Sequence, residues 1–277
     1  MYVGIDVGGT KTLVAVLNNH GVIVEQTKFP TPKIYDHFLL ELRHTLAHFE
    51  HQDFKAGAIA VPGRIDRQRE LVVGLANVPS WGKNLRVQHD VEKICACPMA
   101  IENDAKLGAL SEAMLLKDTY SKVLYVTVST GIGIGLVLSG YIDPNIGDGG
   151  GKAITMVRGG KYVPWESYAS GHAIVDRYGK RAEDIHDKET WTKICKDLAP
   201  GLIELIAITE PEVIVIGGSV GTYFDRYGAI LAQELKKFHM QFVKLPKLRG
   251  AARAETAVVY GCYDYAKQVY PHAAAHR

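Results

Sequence analysis

The sequence predicts an α/β protein of two similarly built lobes with a cleft between them. Two observations predict it: apolar strand-like runs alternate with helical patterns along all 277 residues, and one unit, strand, glycine-rich turn, strand, occurs twice. The first copy is GIDVGGTKTLVAV near the start, and the second is KVLYVTVSTGIGIGLVLSG beginning at Lys122.

Tyr2 to Asp6, Lys11 to Leu17 and Gly21 to Thr27 are β-rich and separated by turn compositions, Gly8-Gly9 and Asn18-Asn19-His20-Gly21, which predicts an antiparallel meander. Phe38, Leu42, Leu46 and Phe49 recur at helical spacing, so a helix is expected from about 36 to 50 with Asp36 as its N-cap. The strand AGAIAV follows, broken by Pro62-Gly63, then the strand PMAIEN and a helix from about 105 to 116. After the second glycine turn, residues 147–151 (GDGGG) read as a loop, 191–206 as a helix, EVIVI as a buried strand, 223–238 as a helix and 257–267 as the last helix. The lobes are expected at 1–106 and 107–262, with the C-terminal helical segment 263–277 returning to the first.

With 32 basic against 30 acidic residues spread along the chain, no electrostatic footprint for nucleic acid or an anionic membrane is present. The N-terminus MYVGIDVGGT has neither a basic n-region nor a long apolar stretch, and nothing approaches the roughly 20 apolar residues of a membrane span, so a cytoplasmic protein with small-molecule partners is expected. Cys95, Cys97, Cys195 and Cys262 form no repeated C-x-x-C pattern and read as reduced thiols.

The glycine turns are near misses for better-known motifs. Gly4, Gly9, Thr10, Lys11 and Thr12 approach a Walker A loop, but Lys does not directly follow the second glycine and a strand comes next. Gly131, Gly133 and Gly135 lack the spacing of a dinucleotide fingerprint and also run into a strand. What remains is a glycine-rich hairpin turn: without Cβ atoms, and with access to positive φ, its backbone N–H groups can form an anion-binding concavity with no helix behind it. Thr10, Lys11, Thr12, Ser129 and Thr130 add donors; the alternative is a plain tight hairpin.

D-V-G-G-T-K-T, I-E-N-D-A, V-S-T-G-I-G-I-G, Y-A-S-G and P-E-V-I-V-I-G-G-S, collinear over nearly the whole chain, resemble the ROK sugar kinases (repressor, open reading frame, kinase). The resemblance implies the two-lobed actin-like ATPase (ribonuclease H-like) fold and ATP-dependent phosphorylation of a sugar hydroxyl. It implies ATP contacts from Asp6, Gly8, Gly9, Thr10 and Lys11, from Thr130, Gly131 and Gly133, and from Gly217 and Gly218. Asp6 would face Mg²⁺ through water, and Asp104 would be the general base. Gly63, Asn77, Asn103, Asp104, Lys152 and Glu166 would lie at the sugar. A homodimer is also implied. Locally, Asn103-Asp104 has a second reading as a helix cap, Glu166 as a solvated loop carboxylate, and Asn77 with Trp81 as loop packing.

The chain departs from the family at G-K-A-I-T, where typical members have G-E-I-G-H: Lys152 and Thr155 stand at the Glu and His positions, and the following VRGGKYVP lacks the zinc cysteines. No zinc site is therefore expected, and the acceptor is expected to be an altered or anionic sugar, the alternative being that Lys152 points to solvent and sugar binding is weak. Repressor members carry a helix-turn-helix ahead of the first phosphate motif, where this chain starts, so transcriptional regulation is not expected. Two other readings stay open: a sugar or nucleotide sensor without turnover, and a serine hydrolase in which Gly217-Gly218-Ser219-Val220-Gly221 fits G-x-S-x-G with Asp225 or Asp264 and His272.

Overall fold

The computed structural model describes residues 1–75, 77–238, 242, 244–253 and 255–271. The chain divides into two units: Met1–Ser111 together with the chain from Thr256 onward, and Glu112–Glu255.

In the first unit β1 (Tyr2–Val7), β2 (Lys11–Leu17) and β3 (Ile23–Pro30) form the expected antiparallel meander. Then come α1 (Tyr35–Ala47), β4 (Ala56–Val61), the hairpin β5 (Gly63–Asp66) and β6 (Leu71–Leu75), α2 (Val87–Cys95), β7 (Met99–Asn103) and α3 (Asp104–Leu116), which runs past the unit boundary. The five-stranded sheet has the order β3-β2-β1-β4-β7, with β1, β4 and β7 parallel. Val3, Ile5, Val14, Val16, Ile59 and Val61 project into a core shared with Phe38 and Leu42 of α1 and Val87 and Val91 of α2. The α1 helix departs from expectation at both ends. Ile34, in extended backbone, precedes it without a side-chain cap, and Asp36 lies in the first turn, where its charge faces the positive end of the helix.

The second unit repeats the plan. β8 (Lys122–Val128), β9 (Ile132–Leu138) and β10 (Tyr141–Ile142) form a meander, followed by the short α4 (Gly150–Ala153), the hairpin β11 (Thr155–Arg158) and β12 (Lys161–Pro164), and the short α5 (Glu166–Ala169). The loop expected at 147–151 thus gives its last two residues to α4. Next are α6 (Gly171–Tyr178), α7 (Lys188–Thr209), β13 (Val213–Gly217), α8 (Gly218–Gly221), α9 (Phe224–Leu235) and β14 (Lys247–Gly250). The sheet order β10-β9-β8-β13-β14 mirrors the first, with β8, β13 and β14 parallel. Ile194, Leu198 and Leu202 of α7 and Leu231 of α9 are buried with Leu124, Val126, Ile214 and Ile216 of the sheet, and Trp191 stacks on Tyr227 at 4.6 Å. Each such fully buried side chain contributes about 1.5–3 kcal/mol.

Finally α10 (Ala257–Val269) packs on β1, β4 and β7 of the first unit. Glycine also lets α10 lie close to α3, since a Cβ on Gly261 would sit 1.9 Å from Leu107 O. The four cysteines are free and buried; burial pushes the Cys97 and Cys195 thiols up to about 12. Among the described residues no helix is long and apolar enough to cross a membrane, and no group of three His, Cys, Asp or Glu side chains is arranged to hold a metal ion.

Candidate functional site

Parallel pairing brings the chemistry to one edge of each sheet. In the first unit Asp6 pairs with Ala60 and Val61 with Asn103, so Asp6, the start of the β5–β6 hairpin and Asp104 all lie at the carboxyl ends of parallel strands, where α/β sheets generally present their ligand-binding residues. Asp6 and Asp104 are both half-buried. Burial, and then the charge of Asp104, push Asp6 up to about 7, against a lowering influence of Lys28. Burial pushes Asp104 up to about 6, while hydrogen bonds from the Ala105 N–H, its own N–H and the Asn103 side chain hold it down.

Asn103 ties this end together. Its Oδ1 accepts the Ala105 N–H at 3.0 Å, capping α3, and its Nδ2 donates to Gly63 O at 3.2 Å. The cap reading of Asn103-Asp104 is realised: Asn103 caps, and Asp104 Oδ1 also accepts the Ala105 N–H at 2.9 Å. Glu102, 1% exposed, receives both of its 2.7 Å bonds from Arg67 Nη2 and also takes the Asn103 N–H at 2.8 Å. This pair, absent from the sequence reading, joins the β5–β6 hairpin to the end of β7.

The first glycine turn is closed by Gly8 N–H to Lys11 O at 3.0 Å and braced by Thr31, whose hydroxyl donates to Gly8 O at 2.8 Å. Thr10 and Lys11 are exposed. Neither Gly8 nor Gly9 takes a positive φ; glycine is needed for space. A Cβ on Gly8 would lie 2.7 Å from Lys11 O, and one on Gly9 would lie 2.9 Å from both Cβ and O of Asn77. Exposed Asn77 is thus brought against this turn.

In the second unit Gly217 pairs with Thr127, so the turn after β8 and the segment after β13 reach the same sheet edge. Ser129 N–H closes the turn on Gly131 O at 2.8 Å, and Gly171 N–H donates to Ser129 O at 2.7 Å. Gly131 and Gly133 also avoid positive φ, whereas Gly218 takes φ +77°. A Cβ on Gly217 would fall 2.1 Å from the Tyr125 hydroxyl oxygen. Thr130 and Gly218 line one cavity of about 660 Å³, together with His172, Arg181, Glu183 and Tyr223, none of which the sequence singles out. Ser219 lines it too. Asp225 lies in the first turn of α9, Asp264 is on α10, and His272 lies outside the described residues.

Glu166 Oε2 accepts the Ile132 N–H at 2.7 Å, and its Oε1 lies 3.6 Å from Lys152 Nζ, so the glutamate is no solvated loop carboxylate and Lys152 is ion-paired. Thr155 is exposed at the start of β11.

Two matching sheets, each carrying a glycine turn between its first two strands, with a carboxylate pair at the end of one, define a known architecture. The chain belongs to the ROK family, which it matches over residues 2–269. It is 27% identical to the N-acetylgalactosamine kinase AgaK of Shewanella sp. (strain ANA-3), over 94% of this chain and 95% of the relative. It is 29% identical to the N-acetylmannosamine kinase of Salmonella typhi, over 85% and 90%. Its fold matches the ROK family glucokinase from Streptomyces griseus, solved in complex with glucose and AMPPNP, with a TM-score of 0.81 at 20% identity over 96% and 99% of the two chains. The fold is therefore the actin-like ATPase fold.

Proposed function

We propose that this chain transfers the γ-phosphoryl group of ATP to a hydroxyl of a sugar or sugar derivative, with Asp104 as general base. The observation that carries the reading is the half-buried Asp6–Asp104 pair beside a glycine turn whose Cβ positions are filled by neighbouring backbone. Two carboxylates pushed up by burial, one of them raised further by the charge of the other, are a fitting donor set for a divalent cation, and Asp6 would hold Mg²⁺ through water. A Mg²⁺ held there would supply positive charge against the phosphates.

The chain's own residues do the rest. Gly8 N–H is used within its turn, so phosphate contacts fall to Gly9, Thr10 and Lys11 in the first unit. In the second, Thr130, Gly131 and Gly133 serve the phosphates, and the cavity beside Gly217 and Gly218 has the volume for a nucleoside, which favours ATP over polyphosphate as donor. The Asp104 carboxylate takes the acceptor proton as the new P–O bond forms and the bond to the β–γ bridging oxygen breaks, releasing ADP; such a base contributes about 10²–10⁴ in rate. Asn103 and Gly63 fix Asp104, and with Asn77, Lys152 and Glu166 they attend the sugar. Lys152 and Thr155 give the acceptor side donors in place of an acceptor and an imidazole, which supports an altered or anionic sugar. A coupled ADP-release screen with Mg²⁺ and ATP across neutral sugars, N-acetylamino sugars and sugar acids tests this. Turnover is expected with at least one member, best with a sugar acid; silence across the panel would overturn the kinase reading, and preference for glucose and N-acetylmannosamine over every charged sugar would overturn the acceptor class.

A further inference from the structure

Glu166 opens α5, and the residue before it is fixed from several directions. Trp165 is fully buried, donates its N–H to Ile154 O at 2.7 Å and its Nε1–H to Asp197 O at 3.0 Å, and lies on Gly201, where a Cβ would come within 2.1 Å of Trp165 Cδ2. The Asp197 carboxylate in turn accepts from Arg158 of β11 at 2.7 Å and from Arg177 of α6. Glu166 therefore leaves an anchored backbone, and its side chain, 17% exposed, reaches the second glycine turn. Its Oε2 accepts the Ile132 N–H, and a Cβ on Gly131 would stand 2.5 Å from that same oxygen. Gly151, next to Lys152, is held equally close, since a Cβ there would lie 2.7 Å from Ile132 Cβ.

We infer that Glu166 is a positioning residue for the donor-binding turn, and that Lys152 is the cation that holds its carboxylate in place. A hydrogen bond to an ionised acceptor is about twice as strong as a neutral one, and this one sets the direction of the peptide that follows Thr130 and Gly131. Phosphate contacts made by a turn are effective only if the turn is fixed beforehand. Because Glu166 and Lys152 also belong to the acceptor side in the kinase reading, on which this inference rests, the donor and acceptor sites share one ion pair, and a sugar that engages either residue changes nucleotide affinity.

The test is calorimetric titration of AMPPNP with Mg²⁺ into the wild type, Glu166→Gln and Lys152→Met, with no sugar present, followed by steady-state kinetics with the best acceptor. Glu166→Gln is expected to weaken AMPPNP about tenfold, the effect of losing a charged hydrogen bond. Lys152→Met, at a side chain 64% exposed, is expected to weaken it about threefold at low salt, and less as salt screens the wild-type pair. If Glu166→Gln does not fold, Lys152→Met decides. Unchanged AMPPNP affinity in the variants, with only the acceptor KM raised, would overturn the inference and leave the kinase reading standing; a wild type that binds no AMPPNP would overturn both.

Discussion

Asp104→Asn removes one charge at the end of β7 while keeping the side chain's shape and an acceptor for the Ala105 N–H. In the wild type burial pushes Asp104 up from the ordinary 3.8 to about 6. A carboxyl raised on folding binds a proton that the unfolded chain releases between about pH 4 and 6, so its contribution to stability is present below that window and lost as pH rises through it. The rise amounts to at most about 3 kcal/mol at pH 8. Asparagine carries no such penalty and also removes the charge that helps to raise Asp6. The variant should therefore melt higher than the wild type at pH 8, by several degrees for about 2–3 kcal/mol in a chain of this size. The gap should close below pH 4. Turnover should meanwhile fall by about 10²–10⁴. In the wild type kcat/KM should decline below pH 6, as the base takes up a proton. Thermal melts at pH 4, 6 and 8 with initial rates at each pH check this. A variant no more stable at pH 8 than the wild type, or one with undiminished turnover, would refute the reasoning.

Gly131→Ala would put a methyl 2.5 Å from Glu166 Oε2 and should raise the KM for ATP by about tenfold through displacement of the turn, with the melting temperature little changed. Arg67→Met leaves Glu102 buried without its cation and should cost about 3–5 kcal/mol, read as a lowered urea midpoint. Chelation of Mg²⁺ should abolish turnover, and Mg²⁺ without other metals should restore it; full activity in chelator would remove the assigned role of Asp6.

The duplicated strand-turn-strand unit was legible because both meanders are short-range antiparallel pairs whose apolar runs and turn residues are contiguous. Asp104 was legible for a similar reason, since IEND marks a strand running straight into a helix. Why Gly8, Gly9 and Gly131 are glycines was not legible, because sequence does not distinguish a glycine needed for backbone freedom from one needed because Lys11, Asn77 or Glu166 occupies the space of its Cβ. The helix α2 carries only a short signal, Val87, Val91 and Cys95 at four-residue spacing over nine residues. The hairpins β5–β6 and β11–β12 are short and carry Arg64, Arg158 and Lys161, so alternation is weak in them. The Arg67–Glu102 pair and the cavity residues Arg181, Glu183 and Tyr223 come together only through tertiary pairing, which no local pattern encodes. Lys152 was visible as a departure from G-E-I-G-H; its partner Glu166 was visible only as a separate residue.

The most direct test of phosphoryl transfer by Asp104 is ³¹P NMR of Mg²⁺ and ATP incubated with the best acceptor from the screen, run with the wild type and with Asp104→Ala. The wild type is predicted to convert the γ-phosphate signal into a phosphomonoester as ADP appears, while the variant binds ATP and leaves it intact. Inorganic phosphate in place of the phosphomonoester, or an unchanged rate in the variant, would contradict the account.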